Sequence, residues 1–162
     1  ATNQLKDVEL INSTQQMDAI LQTLPYAASY IVMDLGSTYL PGIENALAIC
    51  NEIILLTEPA PASVQRAKIL LKELAEMGFG KSKPLTTVIY NRVRSDLQLT
   101  NQQISEALGV QNAQVIPPAP EQAYQSALRL IPITLVKPES TVSQQYYRLI
   151  NQVLERIRSY KQ

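Results

Sequence analysis

Tyr30-Ile31-Val32-Met33-Asp34-Leu35-Gly36-Ser37 sets three apolar residues ahead of an aspartate and a glycine-containing turn. The apolar run is too short and too β-branched for a helix, and it stops at a turn signal. It reads as a buried parallel strand over 29–34 that delivers one carboxylate to the edge of a sheet. At the carboxyl end of such a strand, Asp34 faces the crevice in which α/β sheets bind ligands. An aspartate so placed often holds Mg²⁺, directly or through its water, in a nucleotide-hydrolysing site. The alternative is an aspartate that caps the turn behind it.

Composition bounds what surrounds this stretch. The chain has 162 residues, 46% hydrophobic and 17% charged, which suits one globular domain, 1–162, with a sizeable core. Fourteen basic residues balance fourteen acidic ones and no basic block occurs, so bulk attraction to nucleic acid or to an acidic membrane is not indicated. Cys50 is the single cysteine and there is no histidine, which excludes an internal disulfide and a Cys/His zinc site. With neither a signal peptide nor an apolar run long enough to span a bilayer, the expected location is the cytoplasm.

Before the central stretch, Val8-Glu9-Leu10-Ile11 reads as a short strand. A helix over about 15–24 then places Met17, Ile20, Leu21 and Leu24 on one side, and Pro25 ends it. After it come a loop at 37–42 and a helix over 42–50, with Ile43, Ala46, Leu47 and Cys50 together; Cys50 reads as a small core hydrophobe. Glu52-Ile53-Ile54-Leu55-Leu56-Thr57 is a second apolar strand. The following helix, 62–77, turns Val64, Ala67, Leu70, Leu71 and Leu74 inward and stops at Gly78. A third strand, 85–90, ends at Asn91-Arg92. Thr100 caps a helix over 101–108 that Gly109 closes, and Gln114-Val115-Ile116 runs into Pro117-Pro118-Ala119-Pro120. A helix at 120–129, an extended Ile133-Thr134-Leu135-Val136 and a helix at 141–160 complete the order. Strands and helices in alternation predict a doubly wound, mostly parallel sheet with helices on both faces.

The strand ends share a chemistry. They read Asp34-Leu35-Gly36-Ser37, Thr57-Glu58-Pro59, Tyr90-Asn91-Arg92 and Ile116-Pro117-Pro118, each a polar or turn residue behind a buried strand. Asn91 offers an amide that donates and accepts, suited to an adenine edge. Arg92 offers a planar cation able to stack on a base, and the prolines supply a rigid loop beside it.

In this order the segments resemble the ParA/MinD family of P-loop ATPases, and within it the CpaE-like branch, from about residue 8 to 158. The resemblance implies a partial P-loop NTPase-type three-layer sandwich. It makes Asp34 the Walker B-type carboxylate linked to Mg²⁺ through water, and Gly36 the γ-phosphate-sensing turn. It puts Asn91, Arg92, Pro117 and Pro118 in an adenine pocket. It further implies an intact protein that binds ATP and Mg²⁺, forms a homodimer, and helps position or assemble a cellular machine such as a pilus or secretion apparatus. Partners are expected to be proteins rather than nucleic acid or membrane.

One element of that family is missing. No glycine-rich loop ending in lysine and Ser/Thr precedes the segment. Gly78-Phe79-Gly80-Lys81-Ser82 imitates its end, but the position five residues before Gly80 is Ala75, and here a helix ends and a strand begins. The expectation is therefore a fragment of a longer ATPase, a view that the start at Ala1 without methionine favours. This chain alone is then inactive and holds neither ATP nor Mg²⁺. The other reading is a non-catalytic ATPase-like module for docking or dimerisation, for which a receiver-like domain next to residue 1 would speak. The absent central strand leaves 29–34 and 52–57 to pair directly, the arrangement favoured here, or leaves a gap that another chain fills. The last helix has Tyr146, Leu149, Ile150, Val153, Leu154, Ile157 and Tyr160 at helical spacing, read as a face packed on the sheet in preference to a membrane-binding face.

Overall fold

The computed structural model describes residues 14–36, 42–91, 98–111 and 113–159. The chain divides into two compact units, Ala1–Cys50 and Asn51–Gln162. In the first, helix α1 (Thr14–Thr23) runs into a single 3-10 turn at Leu24–Tyr26, where Pro25 stops regular helix. Helix α2 covers Ile43–Ile49, and Asn45 Nδ2 donates to Asp18 Oδ1 of α1 at 2.6 Å. Leu21, Ala46 and Leu47 are buried, whereas Ile20, expected on the same inner side, is 54% exposed. Cys50 is half-buried and caps α2 in an extended conformation, donating its N–H to Leu47 O at 3.2 Å.

Between these helices the expected strand is absent. Residues 31–36 take no regular structure and join no ladder; Tyr30 is 58% and Val32 97% exposed. A strand owes its stability to a neighbour that satisfies its N–H and C=O groups, and no described strand runs beside this one. The apolar run has the composition of a buried strand without the ladder. Direct pairing of 29–34 with 52–57 is thereby corrected as well, since β1 (Ile53–Thr57) pairs with β2 (Leu85–Tyr90) and with no other described strand.

The second unit carries the sheet. Its order is β1-β2-β3, with β3 at Gln114–Ile116 and both ladders parallel, Ile53 opposite Leu85 and Tyr90 opposite Ile116. Alternation along each strand sends side chains to opposite faces. On one face Leu55, Ile89 and Val115 meet helix α3 (Pro61–Glu76) through Val64, Ala67 and Leu71, and helix α4 (Asn101–Leu108) through Ile104 and Leu108. On the other, Val88, Tyr90 and Ile116 meet helix α7 (Thr141–Ser159) through Val142, Tyr146, Leu149 and Val153. The sheet is thus covered on both faces, and α7 packs on it through Tyr146, Leu149 and Val153 of its apolar stripe, whereas Ile150 is 48% exposed. Beyond this cover, Ile54 and Leu56 of β1 remain 43% and 63% exposed on the α7 side.

Local chemistry explains where the elements stop. Thr100 and Gln103 form a reciprocal capping box at the start of α4, and Gly109 closes it at φ 67°. Gly78 (φ 93°) and Gly80 (φ 82°) make a tight helix-to-strand turn in which the amides of Ser82 and Lys83 both reach Gly78 O. Phe79 in its middle is buried, Lys81 is exposed and the Lys83 ammonium sits 5.1 Å from the Phe79 ring centre. The stretch that imitates a phosphate loop therefore spends its amides on its own turn.

Two polar clusters tie the helices down. The Glu52 carboxylate, 4% exposed just ahead of β1, pairs with the Arg156 guanidinium of α7 through both oxygens and accepts from Thr86 Oγ1 at 2.8 Å. Arg156 Nη2 also donates to Thr86 Oγ1 at 2.7 Å, so the Glu52 carboxylate and the Thr86 hydroxyl are both partnered. The second cluster lies beside helices α5 (Pro120–Arg129) and α6 (Ile133–Val136). Residues 133–136, expected to be extended, are this four-residue helix. Pro132 opens it, Leu135 N closes on Pro132 O at 2.9 Å, and it pairs with no strand, so it folds into a local turn.

Candidate functional site

The carboxyl ends of β2 and β3 bound a pocket of about 160 Å³. Tyr90, Ile116 and Pro117 come from the strand ends; Pro120 and Ala123 come from α5, Ile133 from α6 and Val142 from α7. Asn91 N donates to Ile116 O at 3.0 Å, extending the β2–β3 ladder by one bond and holding the two strand ends together. Asn91, Pro117 and Pro118 are all half-buried around this junction. Proline fixes φ and gives no amide to a ladder, so Pro117 and Pro118 terminate β3 and stiffen the rim. The result is a concavity lined by apolar side chains and prolines, with Asn91 next to its lining residue Tyr90 in sequence.

The wall opposite the strands is held by hydrogen bonds. Gln122 Nε2 donates to Ile133 O at 2.8 Å, to Ser143 Oγ at 3.2 Å and to Lys137 O at 3.5 Å. Ser143 is fully buried and donates to Lys137 O at 2.8 Å, while Ser140 Oγ caps α7 by accepting from Ser143 N at 3.2 Å. Ser126 Oγ donates to Ile131 O at 2.6 Å, and Leu130 between them takes a left-handed φ of 52°. Neither α5 nor α6 has a buried residue of its own.

Behind the pocket, Tyr146 of α7 lies against Tyr90. Burial pushes its phenol above the usual value; the nearby Tyr90 charge and a hydrogen bond to Tyr90 act in the same direction. Tyr146 thus stays a neutral donor beyond the pH at which a free tyrosine ionises.

The other predicted residues stand in the first unit. Asp34 is exposed, and its Oδ1 accepts from Gly36 N at 2.9 Å, which is the turn-capping geometry. Gly36 takes φ 69°, a left-handed conformation that favours glycine. Arg92 lies outside the described residues. Asn91, Pro117 and Pro118 are brought together, whereas Asp34 and Gly36 adjoin each other at the end of a segment that is not a strand. Among the described residues no group of three or more His, Cys, Asp or Glu side chains is arranged to hold a metal. Asp34 supplies one carboxylate, sufficient for a water-linked contact to Mg²⁺ but not for a metal site by itself.

Tyr90, Ala123, Ile133 and Gln122 were not read from the sequence as site residues. Tyr90 carried a signal, as an aromatic residue at a strand end. Ile133 was hidden by the extended reading of 133–136.

A parallel sheet between helices, with a concavity at the carboxyl ends of its strands, is a doubly wound α/β arrangement. The particular version is that of the ParA/MinD ATPases. The chain superimposes on a ParA family ATPase from Chlorobium tepidum with a TM-score of 0.75 at 19% identity, covering 90% of this chain and 58% of that one. It superimposes on MinD from Pyrococcus horikoshii, solved with Mg-ADP, with a TM-score of 0.71 at 20% identity, covering 87% and 56%. In sequence it is 31% identical over 105 residues to the septum site-determining protein MinD of Synechocystis, which is 65% of this chain and 37% of that protein. The chain thus spans between about a third and three fifths of the proteins it matches. No family model matches it. Among the described residues no helix is long and apolar enough to cross a membrane.

Proposed function

We propose that this chain is the Walker B-type, switch and base-binding part of a cytoplasmic ParA/MinD ATPase of the CpaE-like branch. The protein containing it would dimerise and position or assemble a cellular machine such as a pilus. The observation that supports this reading is the backbone bond from Asn91 to Ile116, next to a pocket lined by Tyr90, Ile116 and Pro117. An apolar concavity with a stiff rim accepts the faces of adenine, and the Asn91 amide is of the type that pairs with its edge. Arg92 follows directly in sequence and is assigned to the same base.

Asp34 is assigned the Mg²⁺-linked carboxylate and Gly36 the turn that senses the γ-phosphate. Its exposure and single carboxylate fit a contact through water, and Mg-ADP in the Pyrococcus horikoshii MinD supports the choice of nucleotide and metal. When bound, Mg²⁺ would neutralise phosphate charge; the part of Asp34 is to orient its hydration. Hydrolysis is assigned only to a protein that also carries a phosphate loop, because phosphoryl transfer depends on positioning and charge neutralisation.

A second reading, the non-catalytic docking or dimerisation module, is favoured by a different observation. The outer edge of β1 pairs with no described strand, and Ile54 and Leu56 stand exposed beside it.

Calorimetric titration of the 162-residue chain with Mg-ATP tests the division of labour. Without lysine and backbone donors for the phosphates, affinity should be weaker than about 1 mM, or roughly 4 kcal/mol of binding free energy. Micromolar affinity would contradict it.

A further inference from the structure

The pocket has a fixed side and a hung side. Tyr90, Ile116 and Pro117 belong to the strand ends, whose β2 and β3 residues Val88, Ile89 and Ile116 are almost completely buried. Opposite them, Ala123 and Ile133 belong to two helices without a buried residue. Ile133 packs against the cluster of Val88, Ile116, Val142 and Leu149, and hydrogen bonds supply the rest of the wall's anchorage. Gln122 is the side chain that makes most of them. It lies next to Ala123 on α5, and its amide grips the carbonyl of Ile133 at 2.8 Å, the carbonyl of Lys137 at 3.5 Å and the buried Ser143 hydroxyl at 3.2 Å. The amide therefore spans from one lining element to the next and anchors both to the start of α7.

We infer that Gln122 is a positioning residue for this pocket: by holding the Ile133 carbonyl it fixes the distance of the 133–137 wall from the strand ends, and so the size of the base admitted. The inference rests on the base-pocket reading above. Glutamine suits the task because its two amide hydrogens serve the short bonds to Ile133 O and Ser143 Oγ, the longer approach to Lys137 O sharing one of them. Leucine has a similar volume and no donor. It would leave the Ile133 and Lys137 carbonyls without this partner and free the wall to move outward or take up water. The ligand class follows from the lining, a flat heterocycle contacted on its faces by Tyr90, Ile116 and Pro117 and limited in width by Ile133.

The test compares adenosine with N6-benzyladenosine, titrated into ¹⁵N-labelled chain and followed by NMR, for the parent, Gln122→Leu and Ser143→Ala. The parent should bind adenosine in preference to the bulkier base. Gln122→Leu should shift that ratio toward N6-benzyladenosine by about tenfold, equivalent to roughly 1.4 kcal/mol. Ser143→Ala removes one acceptor and leaves the Ile133 contact, so it should shift the ratio less. If Gln122→Leu does not fold, a shift in Ser143→Ala supports the proposal and an unchanged ratio overturns it. A lower melting temperature with an unchanged ratio would make Gln122 a structural hydrogen bond and overturn the inference alone. A parent that binds neither compound overturns both the inference and the base-pocket reading.

Discussion

Ile89→Ala is expected to lower the unfolding free energy of the second unit by about 3–4 kcal/mol, a large part of the stability of a domain this size. Ile89 is fully buried on the central strand, where α3 and α4 both press on it through Val64, Ala67, Ile104 and Leu108. Truncation removes three methyl or methylene groups and leaves a void that two helices and a sheet cannot close together. Urea denaturation followed by circular dichroism reads the effect as a lower midpoint with an unchanged slope. A loss below about 1 kcal/mol would mean that β2 is not the centre of the core.

Asp34→Ala should have its effect on chemistry instead. In the ATPase that contains these residues, hydrolysis should fall by about 100-fold or more, the scale seen when one charge-stabilising group is removed. Stability should change by only about 0.5 kcal/mol, because Asp34 is exposed and its observed bond is the local one from Gly36 N. Phosphate release and thermal unfolding, measured on the same preparation, separate the two. If the variant unfolds while its residual folded fraction hydrolyses ATP normally, Asp34 is a structural turn cap and its assignment fails.

The second unit was almost fully legible in the sequence. Ile53–Thr57, Leu85–Tyr90 and Gln114–Ile116 are strands where continuous apolar runs met turn residues, and α3, α4 and α7 follow the 3.6-residue period. The two errors share a cause. Residues 29–34 and 133–136 both have the composition of strands, but a strand is decided by its neighbour, which local sequence does not contain. The first is left as an irregular exposed segment and the second folds onto Pro132 as a helical turn.

The site was legible only in part. That Asn91, Pro117 and Pro118 stand at neighbouring strand ends follows from the parallel topology, and their part in a base pocket is the proposal made above. Gln122 and Tyr146 could not be placed. The partners of Gln122 are carbonyls and a hydroxyl 11 to 21 residues away, and Tyr146 meets Tyr90 across the gap between a helix and the sheet. Neither contact leaves a periodic trace in the sequence.

The central claim, that the carboxyl ends of β2 and β3 form a purine pocket, is tested most directly by mapping adenosine onto the chain with ¹H–¹⁵N NMR at millimolar ligand. The account predicts concentration-dependent shifts, still rising at millimolar ligand, gathered at Tyr90, Asn91, Ala119, Ala123 and Ile133, with α3 and α4 unaffected. Shifts centred elsewhere, or no shift at these five amides at the highest adenosine concentration, would contradict it.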